Sequence, residues 1–187
     1  MFADLIEQIG PDRILPARQW MQCALTATLR PTDICLTFDG GLRCQYDVAL
    51  PVLRFYGLTA FWFMAGGLRP ESRSRQLWMG DAELTGLYTL GHVVGLHSHS
   101  IPTRRGTLSI EEQHSEYEEI VGYLNDLLGE APQTMSHAHD WYSRDTLTML
   151  RELGIVLGFR STMQSPGKSE LEYPREDPAN LLCAMAA

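Results

Sequence analysis

The sequence predicts an α/β domain built on a parallel sheet, and three observations carry that expectation. Five compact apolar runs, rich in β-branched and aromatic residues, recur along the chain. Segments with apolar residues at helical spacing separate them, most bounded by recognisable caps. Finally, 187 residues at 44% hydrophobic content are enough for one sizeable core, so the whole of 1–187 is expected to form a single domain.

Taken in order, residues 1–30 read as a short amphipathic helix followed by an irregular lead-in. Asp33-Ile-Cys-Leu-Thr-Phe38, between Pro31 and Gly40, reads as the first buried strand. Tyr46, Val48, Val52, Leu53 and Tyr56 fall at helical spacing, and Gly57 supplies a C-terminal stop. Thr59-Ala-Phe-Trp-Phe-Met64 is the second strand. Residues 65–80, rich in Gly, Arg, Ser and Pro, suggest a long loop. Asp81 is expected to cap a helix reaching Leu90, with Gly91 ending it. His92 to His97 is the third strand. Ser109-Ile-Glu-Glu112 is a capping box for a helix running to Leu128 and stopping at Gly129. Gln133–His137 is a fourth strand, Ser143–Leu153 a helix, and Ile155–Phe159 a fifth strand. Such alternation implies right-handed βαβ units.

The net charge of −8 argues against nucleic acid as a partner, because phosphate binding needs a basic face. It equally gives no attraction to anionic membranes. No run approaches the ~18 apolar residues of a spanning helix. The first ten residues are acidic and lack the features of a secretory leader. Cys23, Cys35, Cys44 and Cys183 show no C-x-x-C spacing, and Cys35 sits inside an apolar run. Together these features suggest a reducing, cytoplasmic setting.

Two motifs concentrate polar groups at strand ends, where α/β folds keep their chemistry. They are Leu36-Thr37-Phe38-Asp39-Gly40-Gly41 and Gly95-Leu96-His97-Ser98-His99-Ser100. These resemble the first two motifs of the polysaccharide deacetylase family, the metal-dependent carbohydrate de-N-acetylases. The resemblance covers roughly residues 31–180. It implies a distorted or incomplete parallel (β/α) barrel, with Asp39 as the base that deprotonates water and His97 as a metal ligand. The family pattern is Thr-Phe-Asp-Asp-Gly and His-Ser/Thr-x-x-His, its second Asp and both His holding a divalent metal. Here Gly40 and Ile101 stand at two of those three ligand positions.

A second His-x-His pair, His137-Ala-His139, falls where the family carries an Arg that orients the base, with Ser136 in the Arg place. Leu171-Glu-Tyr-Pro-Arg-Glu-Asp-Pro178 resembles a late segment that commonly ends in a general-acid His, replaced here by Pro178. The candidate catalytic residues are therefore Asp39, His97, His99, His137 and His139, expected to meet at one mouth. Arg43, Tyr46, Trp141 and Arg175 are candidates for substrate contact, Arg175 having Asp177 as an alternative ionic partner.

Two readings of the histidines stand side by side. Asp39, His97 and one of His99, His137 or His139 form a rebuilt zinc site, or the imidazoles act directly as acid and base without metal. Zinc demands three well-placed ligands, and Gly40 and Ile101 supply none, so the expectation is that no metal is held. The function expected is that of a repurposed enzyme doing metal-independent acid/base chemistry on a small cytosolic metabolite. The alternatives are an amide hydrolase with a rebuilt metal site and a non-catalytic binding protein.

Overall fold

Five short strands pair in parallel in the order of the chain: β1 (Thr37–Gly40), β2 (Phe61–Ala65), β3 (Val93–His97), β4 (Thr134–Ser136) and β5 (Leu157–Phe159). The computed structural model describes residues 2–65, 77–97, 108–163 and 169–180. Sequential parallel order is the barrel arrangement, and the sheet curls into a half-barrel. Helices α1 (Phe2–Ile9), α2 (Ala17–Leu25), α3 (Arg43–Phe55), α4 (Asp81–Thr89), α5 (Ile110–Leu128) and α6 (Arg144–Glu152) pack against it, α2 on the interior face. Among the described residues no helix is long and apolar enough to cross a membrane.

The helices begin and end where the side chains allow. Ser109 Oγ accepts from Glu112 N, and Glu112 Oε2 accepts from Ser109 N, the reciprocal box expected for α5. Gly129 closes α5 in the left-handed region. At α4 the expected role of Asp81 is corrected: Gly80 is the cap residue, its N–H donating to Glu83 Oε2 at 2.8 Å. The lead-in is likewise not irregular. It holds α2, which buries Ala17, Trp20 and Ala24, although Pro16 ahead of it offers no capping side chain. Tertiary burial, not a local signal, makes this helix.

The first strand starts later than its apolar run suggests. Arg30 N and Nε both donate to Asp33, holding a turn, and Ile34 pairs with Ile14 outside the sheet. The ladder to β2 begins only at Thr37↔Phe61.

Alternation along the strands divides the core in two. Trp62, Met64, Leu96 and Met135 face the helices, with Leu53, Leu87, Leu124 and Leu150. Phe61, Phe63, Leu157 and Phe159 face the barrel interior, where Trp20 packs against them. Parity then puts Asp39, His97 and Ser136 on that interior face, at the carboxyl ends of their strands.

A segment beyond β5 completes the wall. Tyr173 pairs in parallel with Phe159, and backbone hydrogen bonds join Gly158 to Glu170 and Tyr173. Gly158 permits this, because a Cβ there would stand 2.4 Å from the Leu171 carbonyl oxygen. The close approach carries Arg175 toward β1.

Candidate active site

Asp39 sits at the centre of a polar cluster joining four parts of the fold. Arg175 donates Nη1 to Asp39 Oδ1 and Nη2 to Oδ2, each at 2.8 Å. This forked geometry matches a planar guanidinium to both carboxylate oxygens. The fork is aimed by further bonds, from Arg175 Nε to the Arg160 carbonyl at 2.6 Å and from Nη1 to Thr37 Oγ1 at 3.1 Å. Arg175 therefore pairs with Asp39 and not with Asp177, and it is not an open anion-binding group. Gln45 Nε2 donates to the Asp39 carbonyl, tying α3 to the same strand end.

Ser136, last in β4, donates Oγ–H to Asp39 Oδ1 at 3.0 Å. His97 Nδ1 lies 2.7 Å from the same Ser136 Oγ. With the hydroxyl proton directed to the carboxylate, the imidazole donates through Nδ1–H and carries its lone pair on Nε2. Nε2 makes no hydrogen bond among the described residues. Asp39 Oδ2 stands 4.0 Å from His97 Nδ1, near enough to stabilise an imidazolium.

The electrostatics of the two groups differ. Burial pushes the Asp39 carboxyl upward, but the Arg175 hydrogen bonds and charge, helped by His97 and Ser136, hold it below the ordinary carboxylate value. Burial pulls His97 below the ordinary imidazole value. The Arg175 and His139 charges act in the same direction, and Asp39 only partly opposes them. His97 is accordingly neutral near pH 7, its side chain 17% exposed.

The remaining candidates fall in other places. His137 is fully buried, its Nε2 2.9 Å from the Leu171 carbonyl and its ring tilted by 30° against Tyr142 with centroids 4.1 Å apart. It is a core histidine, and burial lowers its pKa to about 4. The expected convergence of both His-x-His pairs is corrected to that extent. His139 is exposed at the rim in a left-handed conformation (φ 54°), its ring 4.9 Å from that of half-exposed Trp141. Neighbouring Asp140 is also left-handed and accepts from Ser161 N, Thr162 Oγ1 and Arg160. His99 lies outside the described residues.

Arg43 is held by Asp47 (3.2 Å) and Glu83 (3.0 Å), and Tyr46 brings its hydroxyl against Gly86 of α4. Both belong to the α3–α4 contact, not to the Asp39 cluster. The residue whose role sequence reasoning missed is Ser136, which links Asp39 to His97. Its signal was its parity with Thr134 at the end of a strand, a weak mark for so common a residue.

Gly40, at the end of β1, has φ +91° and open space where a Cβ would be. A side chain would fit there sterically but would strain the backbone. Among the described residues, no three His, Cys, Asp or Glu side chains come together to hold a metal ion.

Comparison with known proteins bears on the family and the fold. The sequence profile of the polysaccharide deacetylases matches residues 26–158. A Bacillus subtilis (strain 168) protein assigned to the polysaccharide deacetylases, YxkH, is 25% identical over 137 residues, covering 72% of this chain and 47% of its own length. The chain thus spans about half the length of that curated relative. Among solved structures, the Streptococcus pyogenes deacetylase PplD in complex with acetate superposes with a TM-score of 0.75 at 22% identity, over 98% of this chain and 86% of its own. IcaB from Ammonifex degensii gives a TM-score of 0.71 at 19% identity, over 98% and 84%. At these identities the structural likeness concerns the fold.

Proposed function

From the premise that the chain belongs to the polysaccharide deacetylase family, we propose that its mouth performs metal-independent acid–base chemistry, with neutral His97 as the general base. The substrate is a small molecule carrying an N-acylated amino sugar; two solved structures of similar fold, a peptidoglycan N-acetylglucosamine deacetylase and a chitin deacetylase, are named for that chemical group. One observation carries this reading: the chain Arg175–Asp39–Ser136–His97, which leaves Nε2 open.

Each member has a physical task. Arg175 neutralises and orients Asp39, whose depressed pKa makes it a poor proton acceptor and a good fixed anion. Asp39 accepts the Ser136 hydroxyl hydrogen bond and so sets the His97 tautomer, the kind of work a buried carboxylate does behind a catalytic imidazole. His97 Nε2 then accepts a proton from water or from the substrate. The imidazolium so formed is stabilised by Asp39 across 4.0 Å.

The donor set supports a metal-free reading. Of the three positions that hold the metal in the family pattern, only His97 offers a donor. Gly40 offers none, and its left-handed backbone departs from what an Asp readily adopts. For a rebuilt site, Asp39 has both oxygens on a guanidinium, His137 is bonded to Leu171, and His139 lies at the rim with its ring tilted against Trp141. Among the described residues, this donor set does not fit a metal; His99, the third candidate partner, lies outside them. A second reading, a binding protein without turnover, is favoured by Pro178, which leaves the late segment without a histidine to protonate a leaving amine.

The test is incubation with N-acetylglucosamine oligomers, following amine release and any other conversion by NMR, with and without a chelator. Conversion unchanged by chelator and lost at least 100-fold in His97→Ala supports the proposal. Conversion abolished by chelator defeats it. Saturable binding with no conversion selects the second reading.

A further inference from the structure

The outward face of α3 carries an apolar seam that no other element among the described residues covers. Cys44, Val48, Pro51 and Phe55 recur at spacings of four, three and four, and at about 100° per residue they lie within an arc of about 60°. Phe55 is 82% exposed and Val48 64%, and Cys44 and Pro51 are exposed too. The opposite face of the same helix buries Ala49, Leu50 and Leu53 in the core. The seam is therefore additional to the packing that holds α3 in place. Scattered apolar residues need no explanation, but a continuous stripe ending in an almost bare phenylalanine does.

The charges flanking the stripe indicate its occupant. In heptad terms the four apolar residues hold the two core positions, and Asp47 and Arg54 both fall at the flanking position on one side. When two copies of this helix pack antiparallel about a two-fold axis, that position faces its own counterpart. Asp47 of each copy then meets Arg54 of the other, and Val48 lies across from Pro51, Cys44 from Phe55. Such an arrangement is isologous, the same patch serving on both sides. Asp47 is half exposed (54%) and already touched by Arg43 at 3.2 Å, whereas Arg54 is exposed and makes no ion pair among the described residues.

We propose that this face of α3 is the interface of a homodimer of the chain, formed by antiparallel α3–α3 packing. Four seam residues a side is well below the roughly 20–30 residues of a standard stable interface. The dimer is accordingly a concentration-dependent equilibrium and not an obligate one. This inference does not rest on the reading of the mouth, since none of the seam residues touches Asp39, Ser136 or His97.

The experiment is sedimentation equilibrium of the full chain over a wide concentration range, with circular dichroism and melting as controls of folding. Wild type is expected to move from monomer mass toward twice that value. Phe55→Asp, placed on a bare surface, is expected to weaken self-association by at least about tenfold with the fold unchanged. Asp47→Arg and Arg54→Asp put like charges at both crossing points, so each alone is expected to be monomeric. Mixed one to one, the two variants regain complementary pairs and are expected to associate with each other. A wild type that is monomeric throughout overturns the proposal. So does self-association untouched by Phe55→Asp, or a mixture of charge variants that stays monomeric.

Discussion

Acidification from pH 7 to pH 5 is expected to cost this fold about 4 kcal/mol through two histidines that never reach solvent. His92 is 1% exposed, and its Nδ1 accepts from both Ala60 N (3.0 Å) and Trp62 Nε1 (3.2 Å). That nitrogen must stay unprotonated for both bonds to survive. His137 is fully buried, and its Nδ1 has no hydrogen-bond partner among the described residues. Burial lowers both to about 4 from an ordinary 6.5. The unfolded chain binds a proton at each site below pH 6.5, while the folded chain refuses it until about pH 4. Stability is therefore full above pH 6.5 and falls as the pH drops through that window. Integrating between the two values gives about 2 kcal/mol per histidine at pH 5, and about 3 below pH 4. Against a typical stability of ~5–15 kcal/mol the combined loss is large. The depressed carboxyls of Asp33, Asp39 and Asp140 act with the same sign, but below the ordinary carboxylate range, so they leave this window clear. His97, also lowered, adds to the effect. Urea denaturation followed by tryptophan fluorescence at several pH values measures the slope. In His92→Asn the amide oxygen replaces Nδ1 as acceptor without titrating, and the slope is expected to fall by about half. A wild-type stability constant to within about 1 kcal/mol between pH 7 and 5 would refute the reasoning, as would an unaltered slope in His92→Asn.

Other outcomes follow from the polar cluster and the close approaches. Arg175→Met strips Asp39 of its forked partner and is expected to raise the Asp39 pKa. The accompanying loss is about 1–2 kcal/mol, moderate because Asp39 is a third exposed; NMR titration of the carboxyl reads the first and urea midpoints the second. Asp39→Asn is expected to abolish any turnover while preserving the fold. It also removes the anion that sets the His97 tautomer, a change visible in the imidazole nitrogen shifts. Gly158→Ala drives a methyl into the Leu171 backbone and is expected to destabilise by about 1–3 kcal/mol. Because the displaced segment carries Arg175, the Asp39 pKa should rise in this variant too. Gly40→Asp with Ile101→His restores the family pattern and is expected to gain zinc affinity by calorimetry, reduced by about 1–3 kcal/mol for the left-handed backbone at position 40.

Local signals were strong enough to place most helices and strands, because caps and apolar periodicity act over a few residues. The Ser109–Glu112 box, Gly129 and the run Phe61–Met64 all read correctly from neighbours alone. Where a signal was absent, as at α2 after Pro16, burial of Trp20 against Phe61 and Phe159 made the helix instead. Likewise the apolar run at 33–38 became a strand only from Thr37, once a partner in β2 was available.

The sequence by itself determined the parallel α/β order, the place of Asp39 and His97 at strand ends, and the family. Those follow from patterns that are local in the chain. Only the tertiary structure decided that Arg175, 136 residues away, grips Asp39, and that Ser136 joins Asp39 to His97. It also buried His137 while leaving His139 at the rim. The physical reason is that hydrogen-bond partners at the mouth come from different strands, whose meeting depends on how the sheet curls and on how closely residues 169–175 pass Gly158.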